Sequence, residues 1–596
     1  MQQPTIQQIK QMNDEELQTL AHQIRTTIIE TVSQNGGHLA SNLGVVELTI
    51  ALHKVFDSPK DKLIFDVSHQ TYAHKIITGR LDAFSTLRKH QGLSGFSKYA
   101  ESIHDAFEAG HSSTAISAGL GYVEAKKSYP EEIGEVIAIV GDASIANGLS
   151  FEALNYLGDH KDQKMIIIIN DNAMGISKNV GSLARSYHRI RTKGKFTLLR
   201  HHLSKQTRSL LKSAIYDIGL FVSLGFEYFE KIDGHSIPEL IQYLEYAKST
   251  PHSVVLHVVT QKGKGYELAE EDQLGSWHGV EPFDIATGKP KKRESGTSYG
   301  KLLSNQLISY VAKKPYGSLI RVITPAMSLG SGLESFAQAY PNQFIDVGIA
   351  EENATLIAGA MAHAGLVPVL FIYATFLQRA YDELMHDIAR SKEHVVICID
   401  HAGIVSADGD THQGIFDLAY LDSIPYLQIL APRNAQQAIA MLEYAIEESS
   451  GPVVIRYPKQ IISPQYVPQQ YHLAWETLVD SSTLIVTYGR LVDEVKLWID
   501  EQQLSAGLVN AHSIAPLDEN CIDEFVKQQK KVIVYEEVIP SGSLGNRILR
   551  YLNQTHQVLN MQMVCLPFGY LEVGTRKELM EQYHIALEDV KKAIGE

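Results

Sequence analysis

The chain has 596 residues, 44% hydrophobic and 20% charged, a balance that excludes a disordered or fibrous protein and leaves room for roughly three to five domains at about 150 residues each. Its 53 Lys and Arg against 68 Asp and Glu give a formal net charge of −15, which disfavours nucleic acid and anionic membranes as general partners. The three cysteines, Cys398, Cys521 and Cys565, lie far apart with no CxxC pair, so neither a disulfide framework nor a zinc site is expected and a reducing cytoplasm fits best.

The N-terminal stretch MQQPTIQQIKQMNDEEL lacks a basic segment followed by an apolar one, and the longest apolar runs are strand-sized, well short of the ~20 residues of a membrane helix. Neither export nor membrane insertion is expected. After Asn13 and Asp14, either of which can cap a helix, Leu17, Leu20, Ile24 and Ile28 recur at helical spacing until Gly36 and Gly37 stop the pattern. Short β-branched runs at 136–140 and 165–169 then flank a helical pattern near 151–157, the alternation of a parallel α/β sheet.

Residues 178–212 are rich in Arg, Lys, His and Ser without periodicity, as in a basic loop. The polar stretch TGKPKKRESGTSYG at 287–300 reads as a linker. A second α/β pattern follows, with strands expected at 319–323, 367–372 and 395–399. A third begins after the Pro- and Gln-containing segment 463–472, with strands at 483–487, 507–510 and 532–535. The expected fold class is therefore α/β in three domains, 1–295, 296–462 and 463–596, each a mainly parallel sheet flanked by helices.

In open parallel sheets ligands bind beyond the C-terminal ends of the strands. The run at 136–140 leads into Gly141, Asp142, Ala143 and Ser144, and that at 165–169 into Asn170, Asp171 and Asn172. Asp142 and Asn172 are one βαβ crossover apart, so adjacent strands can deliver both side chains to one point. Their oxygens suit Mg²⁺, which prefers hard ligands and bridges readily to phosphates. The sequence Gly110, His111, Ser112, Ser113 makes independent sense nearby, since Gly permits close backbone approach and Ser hydroxyls donate to phosphate.

GDASIANG followed by NDNAMGIS resembles the diphosphate-anchoring motif of thiamine-diphosphate enzymes. The surrounding text is more specific: GGHLASNLGVVELTIALH (36–53), HQTYAHKIITGR (69–80), GHSSTAISAGLG (110–121), ITPAMSLGSGL (323–333), DVGIAEENA (346–354), YATFLQRAYDE (373–383) and ADGDTHQGIFDLAYL (407–421). Together these resemble the 1-deoxy-D-xylulose-5-phosphate synthase family of the transketolase superfamily, over essentially the whole chain. The resemblance implies a transketolase-like fold, a homodimer, and a transferase that condenses pyruvate with glyceraldehyde 3-phosphate using thiamine diphosphate and Mg²⁺.

By the same likeness Asp142, Asn172 and the Met174 carbonyl hold Mg²⁺, while His69, Gly110, His111, Ser112, Ala143, Ser144, Lys262, Tyr266 and Phe376 line the cofactor. Glu351 is the acid that hydrogen-bonds N1′ of the aminopyrimidine. His38, His278 and His412 are the proton-transfer candidates, because imidazole titrates near operating pH, with Asp408 orienting within its loop. Tyr373, Arg379, Arg456 and His401 fall on the substrate side, guanidinium groups being well shaped for phosphate or carboxylate.

Four positions depart from the family wording. Ala143 replaces the last Gly of GDG, Ser68 replaces the Gly of DVGHQ, AEQHA becomes AEENA with Glu352 and Asn353, and His401 stands where the family has an arginine that helps hold the acceptor phosphate. Loss of a charge-assisted contact of ~1.5–3 kcal/mol corresponds to roughly 10- to 150-fold weaker binding. The alternative expectation is thus a synthase-like ketol or acyl transferase with a different acceptor or donor.

Overall fold

The computed structural model describes residues 2–172, 182, 219–272, 274–292, 295–405 and 408–595. Met174 lies outside them, as does the basic 178–212 stretch apart from residue 182. The chain forms two compact units, Met1–Lys292 and Arg293–Glu596.

In the first unit the expected helix runs Asp14–Asn35, its N-terminus held by an Asn13–Glu16 capping box, and it buries Leu17, Leu20, Ile24 and Ile28. Five strands follow: β1 (Lys62–Phe65), β2 (Val136–Gly141), β3 (Ile166–Asp171), β4 (Glu227–Asp233) and β5 (Val254–Val259), in the order β1-β2-β3-β5-β4 and all parallel. β2 is a continuous apolar run and β1, β3 and β5 are mostly apolar, because both sheet faces are covered. Ile137 and Ile139 pack on one face with Leu48 and Leu52. Ala138 and Val140 pack on the other with Ile116 and Leu154. The register sets Gly141 beside Asn170, which carries Asp142 and Asn172 to the same edge, as the crossover spacing predicts.

The second unit contains a seven-stranded and a five-stranded sheet, besides a two-stranded ribbon. β6 (Thr297–Ser298) lies in the expected linker and pairs antiparallel with β13 (Ile461–Ile462) just before the expected second boundary, so these two connecting segments zip together. Between them run β7 (Ile320–Thr324), β8 (Phe344–Asp346), β9 (Val367–Tyr373), β10 (Val396–Asp400), β11 (Gln428–Leu430) and β12 (Val453–Arg456). After them come β14 (Glu476–Val479), β15 (Thr483–Thr487), β16 (Gly507–Asn510), β17 (Ser513–Ala515), β18 (Lys531–Tyr535) and β19 (Asn560–Val564). One sheet is ordered β17-β11-β12-β10-β9-β7-β8 and the other β14-β16-β15-β18-β19. Both are parallel except at β17 and β14. The strand β17 follows β15 and β16 of the five-stranded sheet in sequence yet joins the β11 edge of the seven-stranded one, a pairing no local pattern signals. Among the described residues no helix is long and apolar enough to cross a membrane.

The first unit also carries a buried polar lattice. His53 Nε2 lies 3.0 Å from His74 Nδ1, and His74 Nε2 lies 3.1 Å from Asp105 Oδ1. Arg80 clasps Asp105 through two bonds of 2.8 Å, and the fully buried Lys75 pairs with Glu101. This ties the 72–80 segment to the 94–108 loop that leads into Gly110–Ser113. Burial pushes His53 well down, His74 down, and His104 down to about 4.

Because these histidines bind protons more weakly folded than unfolded, their contribution to stability is complete above the unfolded value of about 6.5 and is lost as pH falls toward the folded values. Urea unfolding at pH 7.5 and pH 5 should show the loss. Replacing Asp105 by Ala, which removes both short bonds of Arg80 and leaves it only Glu101 at 3.4 Å, should cost about 3–5 kcal/mol in the same assay at pH 7.5.

Candidate active site

The strand ends of the first unit converge on one polar edge. Asp66, one residue past β1, is 1% exposed and accepts from the backbone N–H groups of Ser113 (2.9 Å), Thr114 (2.9 Å) and Ala115 (3.2 Å). A carboxylate at the N-terminus of the Ala115–Lys126 helix is favoured by the helix dipole as well as by these bonds. Ser113 has φ +73 and donates its hydroxyl to the Ser144 carbonyl at 3.0 Å, so the Gly110–Ser113 loop is anchored to both β1 and the turn after β2. Asp66 was not singled out from the sequence; its position directly after the KLIF strand is the signal that could have found it.

Asp142 is 6% exposed at the end of β2. Lys262 stands close enough that Asp142 and Asp272 pull its pKa upward, while burial dominates and pushes it down to about 8. Ala143 has φ −73 and ψ −37, an ordinary right-handed conformation, so nothing at this position calls for glycine. Ser68 differs: its φ of +64, after Val67 at +58, is in the left-handed region where glycine is at ease. The Ser68 hydroxyl accepts from Ser97 N–H at 3.0 Å and is 3.4 Å from the Ala109 carbonyl, contacts a glycine could not make.

His38, His69 and His278 form a triangle, with ring centroids 5.2, 5.5 and 5.2 Å apart, and Phe96 stands 5.6 Å from His38. Tyr266 is a core side chain, edge-on to Trp277 and donating to the Ile285 carbonyl at 2.8 Å.

In the second unit Glu351 opens the Glu351–His363 helix and is 3% exposed. Among the described residues its Oε2 has no hydrogen-bond partner, and it makes an ion pair with Arg379 Nη1 at 3.6 Å. Burial raises the Glu351 carboxyl, and Arg379 pulls it back only in part. A buried carboxylate oxygen left unsatisfied costs free energy, and it fits a polar ring nitrogen of a bound cofactor. The oxygen-rich pair Asp142 and Asn172 likewise fits Mg²⁺.

A chain of rings runs nearby within this unit. Tyr373 stacks on His401 at 3.9 Å and on Phe376 at 5.8 Å, and Phe376 meets His412 edge-on at 5.6 Å. His412 Nδ1 is 2.7 Å from the Thr411 hydroxyl. His401, at φ +60, keeps its Nδ1 2.9 Å from Asp400 Oδ1. Asp408 is 4.0 Å from Lys459. Arg456 is buried and committed to Asp417, through Nε at 2.7 Å and Nη2 at 3.1 Å. Its guanidinium therefore already holds one carboxylate, a partner that no motif spacing announces.

Because Ala143 sits at helical φ and ψ, Ala143→Gly should leave turnover and cofactor binding unchanged and lower stability by up to about 1 kcal/mol through added unfolded-state freedom. A thermal melt beside steady-state kinetics checks both.

Comparison with known proteins bears on the whole chain. Residues 2–260 match the family model described as 1-deoxy-D-xylulose-5-phosphate synthase, residues 297–464 the transketolase pyrimidine binding domain, and residues 477–590 the transketolase C-terminal domain. A 1-deoxy-D-xylulose-5-phosphate synthase from Listeria monocytogenes serotype 4b is 42% identical over 600 residues, covering 99% of this chain and 95% of the relative. One from Halalkalibacterium halodurans is 39% identical, covering 98% and 97%. With identity of this order over nearly its full length, the chain belongs to the 1-deoxy-D-xylulose-5-phosphate synthase family.

Proposed function

We propose that this chain catalyses the decarboxylative condensation of pyruvate with glyceraldehyde 3-phosphate to 1-deoxy-D-xylulose 5-phosphate, as a cytoplasmic, Mg²⁺- and thiamine-diphosphate-dependent homodimer of three-domain subunits divided near residues 295 and 462. Family membership supports the reaction. The single observation that supports the cofactor reading is Glu351, buried at 3% exposure with no hydrogen bond to Oε2 among the described residues.

Bound thiamine diphosphate supplies the electron sink for decarboxylation. The chain's part is to hold it and to move protons. Asp142 and Asn172, with the Met174 carbonyl, would hold Mg²⁺, which would supply positive charge for the diphosphate, and the Gly110–Ser112 loop and Lys262 would contribute further donors to it. Burial raises the Glu351 carboxyl and Arg379 pulls it back in part; Glu351 would hydrogen-bond the aminopyrimidine N1′ and exchange the proton there. His38, His278 and His412 exchange protons with the substrate oxygens. Tyr373 and His401 form the acceptor wall, with His401 oriented by the Asp400 bond and the Tyr373 stack.

Mass-spectrometric identification of 1-deoxy-D-xylulose 5-phosphate from pyruvate, glyceraldehyde 3-phosphate, thiamine diphosphate and Mg²⁺ is the test, and absence of that product overturns the proposal. Glu351→Gln should lower kcat by about 10²- to 10⁴-fold, the range of a positioned proton-transfer group, with cofactor binding retained in calorimetry. A panel of phosphorylated and free aldehydes with His401→Arg should show tighter use of phosphorylated acceptors in the variant; an unchanged preference removes His401 from the acceptor wall.

A further inference from the structure

We propose that Asn42 is the positioning residue that fixes His38 and His69 against each other, an inference that rests on the reading of those histidines as working groups. Asn42 lies in the short Ala40–Leu43 helix and is fully buried, at 0% exposure. Its Nδ2 donates to the His38 carbonyl at 2.6 Å and to the His69 carbonyl at 2.8 Å, and its Oδ1 accepts from Tyr72 N–H at 2.9 Å. Both amide hydrogens are thus spent on histidine carbonyls.

Each segment has its own anchors, Gly37 bridging Val280 in both directions at 2.8 and 2.9 Å and Ser68 bonding Ser97 and Ala109, but Asn42 joins the two histidine backbones to each other. His38 follows Gly36 and Gly37, at φ +75 and +138, whose backbone alone permits many conformations. His69 follows Val67 and Ser68, both held at left-handed φ, a conformation that persists only when surrounding contacts impose it. Tyr72 helps from the other side, its hydroxyl accepting from His38 N–H at 3.2 Å. The neighbouring Ser41 places its hydroxyl 3.4 Å from His278 Nδ1, so one short helix touches all three histidines. Aspartate at position 42 would turn acceptor oxygens on two carbonyls, and serine could satisfy only one.

The test uses the full chain with Asn42→Ser and Asn42→Asp, read by thermal unfolding, thiamine diphosphate binding with Mg²⁺ by calorimetry, and kcat and KM across pH. The expected result for Asn42→Ser is a folded protein that binds cofactor and pyruvate within about threefold of wild type. Its kcat falls about 10- to 100-fold, as for misplaced reacting groups, and the pH profile of kcat is displaced.

Turnover within about twofold of wild type overturns the proposal. So does a loss of turnover matched by loss of cofactor affinity, or failure of both variants to fold, since either outcome makes Asn42 structural only. His38→Ala and His69→Ala separate the two levels. If those variants keep wild-type turnover, the reading of the histidines fails; if they lose it while Asn42→Ser does not, only the role of Asn42 fails.

Discussion

Parallel strand pairing is the constraint on which the candidate site depends. Parallel strands must return by crossovers, so their C-terminal ends collect along one edge. In the first unit that edge carries Asp66, Asp142 and Asn172 after β1, β2 and β3. In the second it carries Tyr373, Asp400 with His401, and Arg456 at the ends of β9, β10 and β12. Residues distant in sequence become neighbours through hydrogen-bond register, with Gly141 beside Asn170 and Tyr373 beside Asp400.

Such an edge gathers polar groups at the rim of an apolar core, and each needs a partner. Asp66 finds three backbone N–H groups, Asp105 finds Arg80 and His74, and Asp417 finds Arg456. Glu351 is the exception: among the described residues one of its buried oxygens accepts no hydrogen bond and has only the Arg379 ion pair at 3.6 Å. In an interior where the other carboxylates named here are satisfied, an unsatisfied one marks a place built for something the chain does not supply.

Much of this was legible from the residues. The run at 483–487, TLIVT, forms a strand with those same limits, because a β-branched run between polar turns has few alternatives, and 507–510 also forms a strand with the expected limits. Asp142 and Asn172 were readable because strand-end position and crossover spacing are local patterns. The pairing of β17 with β11, the Arg456–Asp417 pair and the Asn42 clamp were not, since each depends on distant segments meeting in register. The departures divide physically. Ala143 occupies a conformation any residue adopts, whereas Ser68 and His401 hold left-handed φ with side-chain bonds that a glycine or an arginine would not reproduce in the same form.

The net charge of −15 repels anions overall, so a diphosphate must be drawn in by a local reversal of field, and Mg²⁺ on Asp142 and Asn172 is its proposed source. Calorimetric titration of the full chain with thiamine diphosphate, with and without Mg²⁺, alongside Asp142→Ala, tests this most directly. Binding by the wild type should require Mg²⁺ and should fall at least about tenfold in the variant, the loss typical of a metal-site residue. Equal binding by both proteins, or binding indifferent to Mg²⁺, would contradict it.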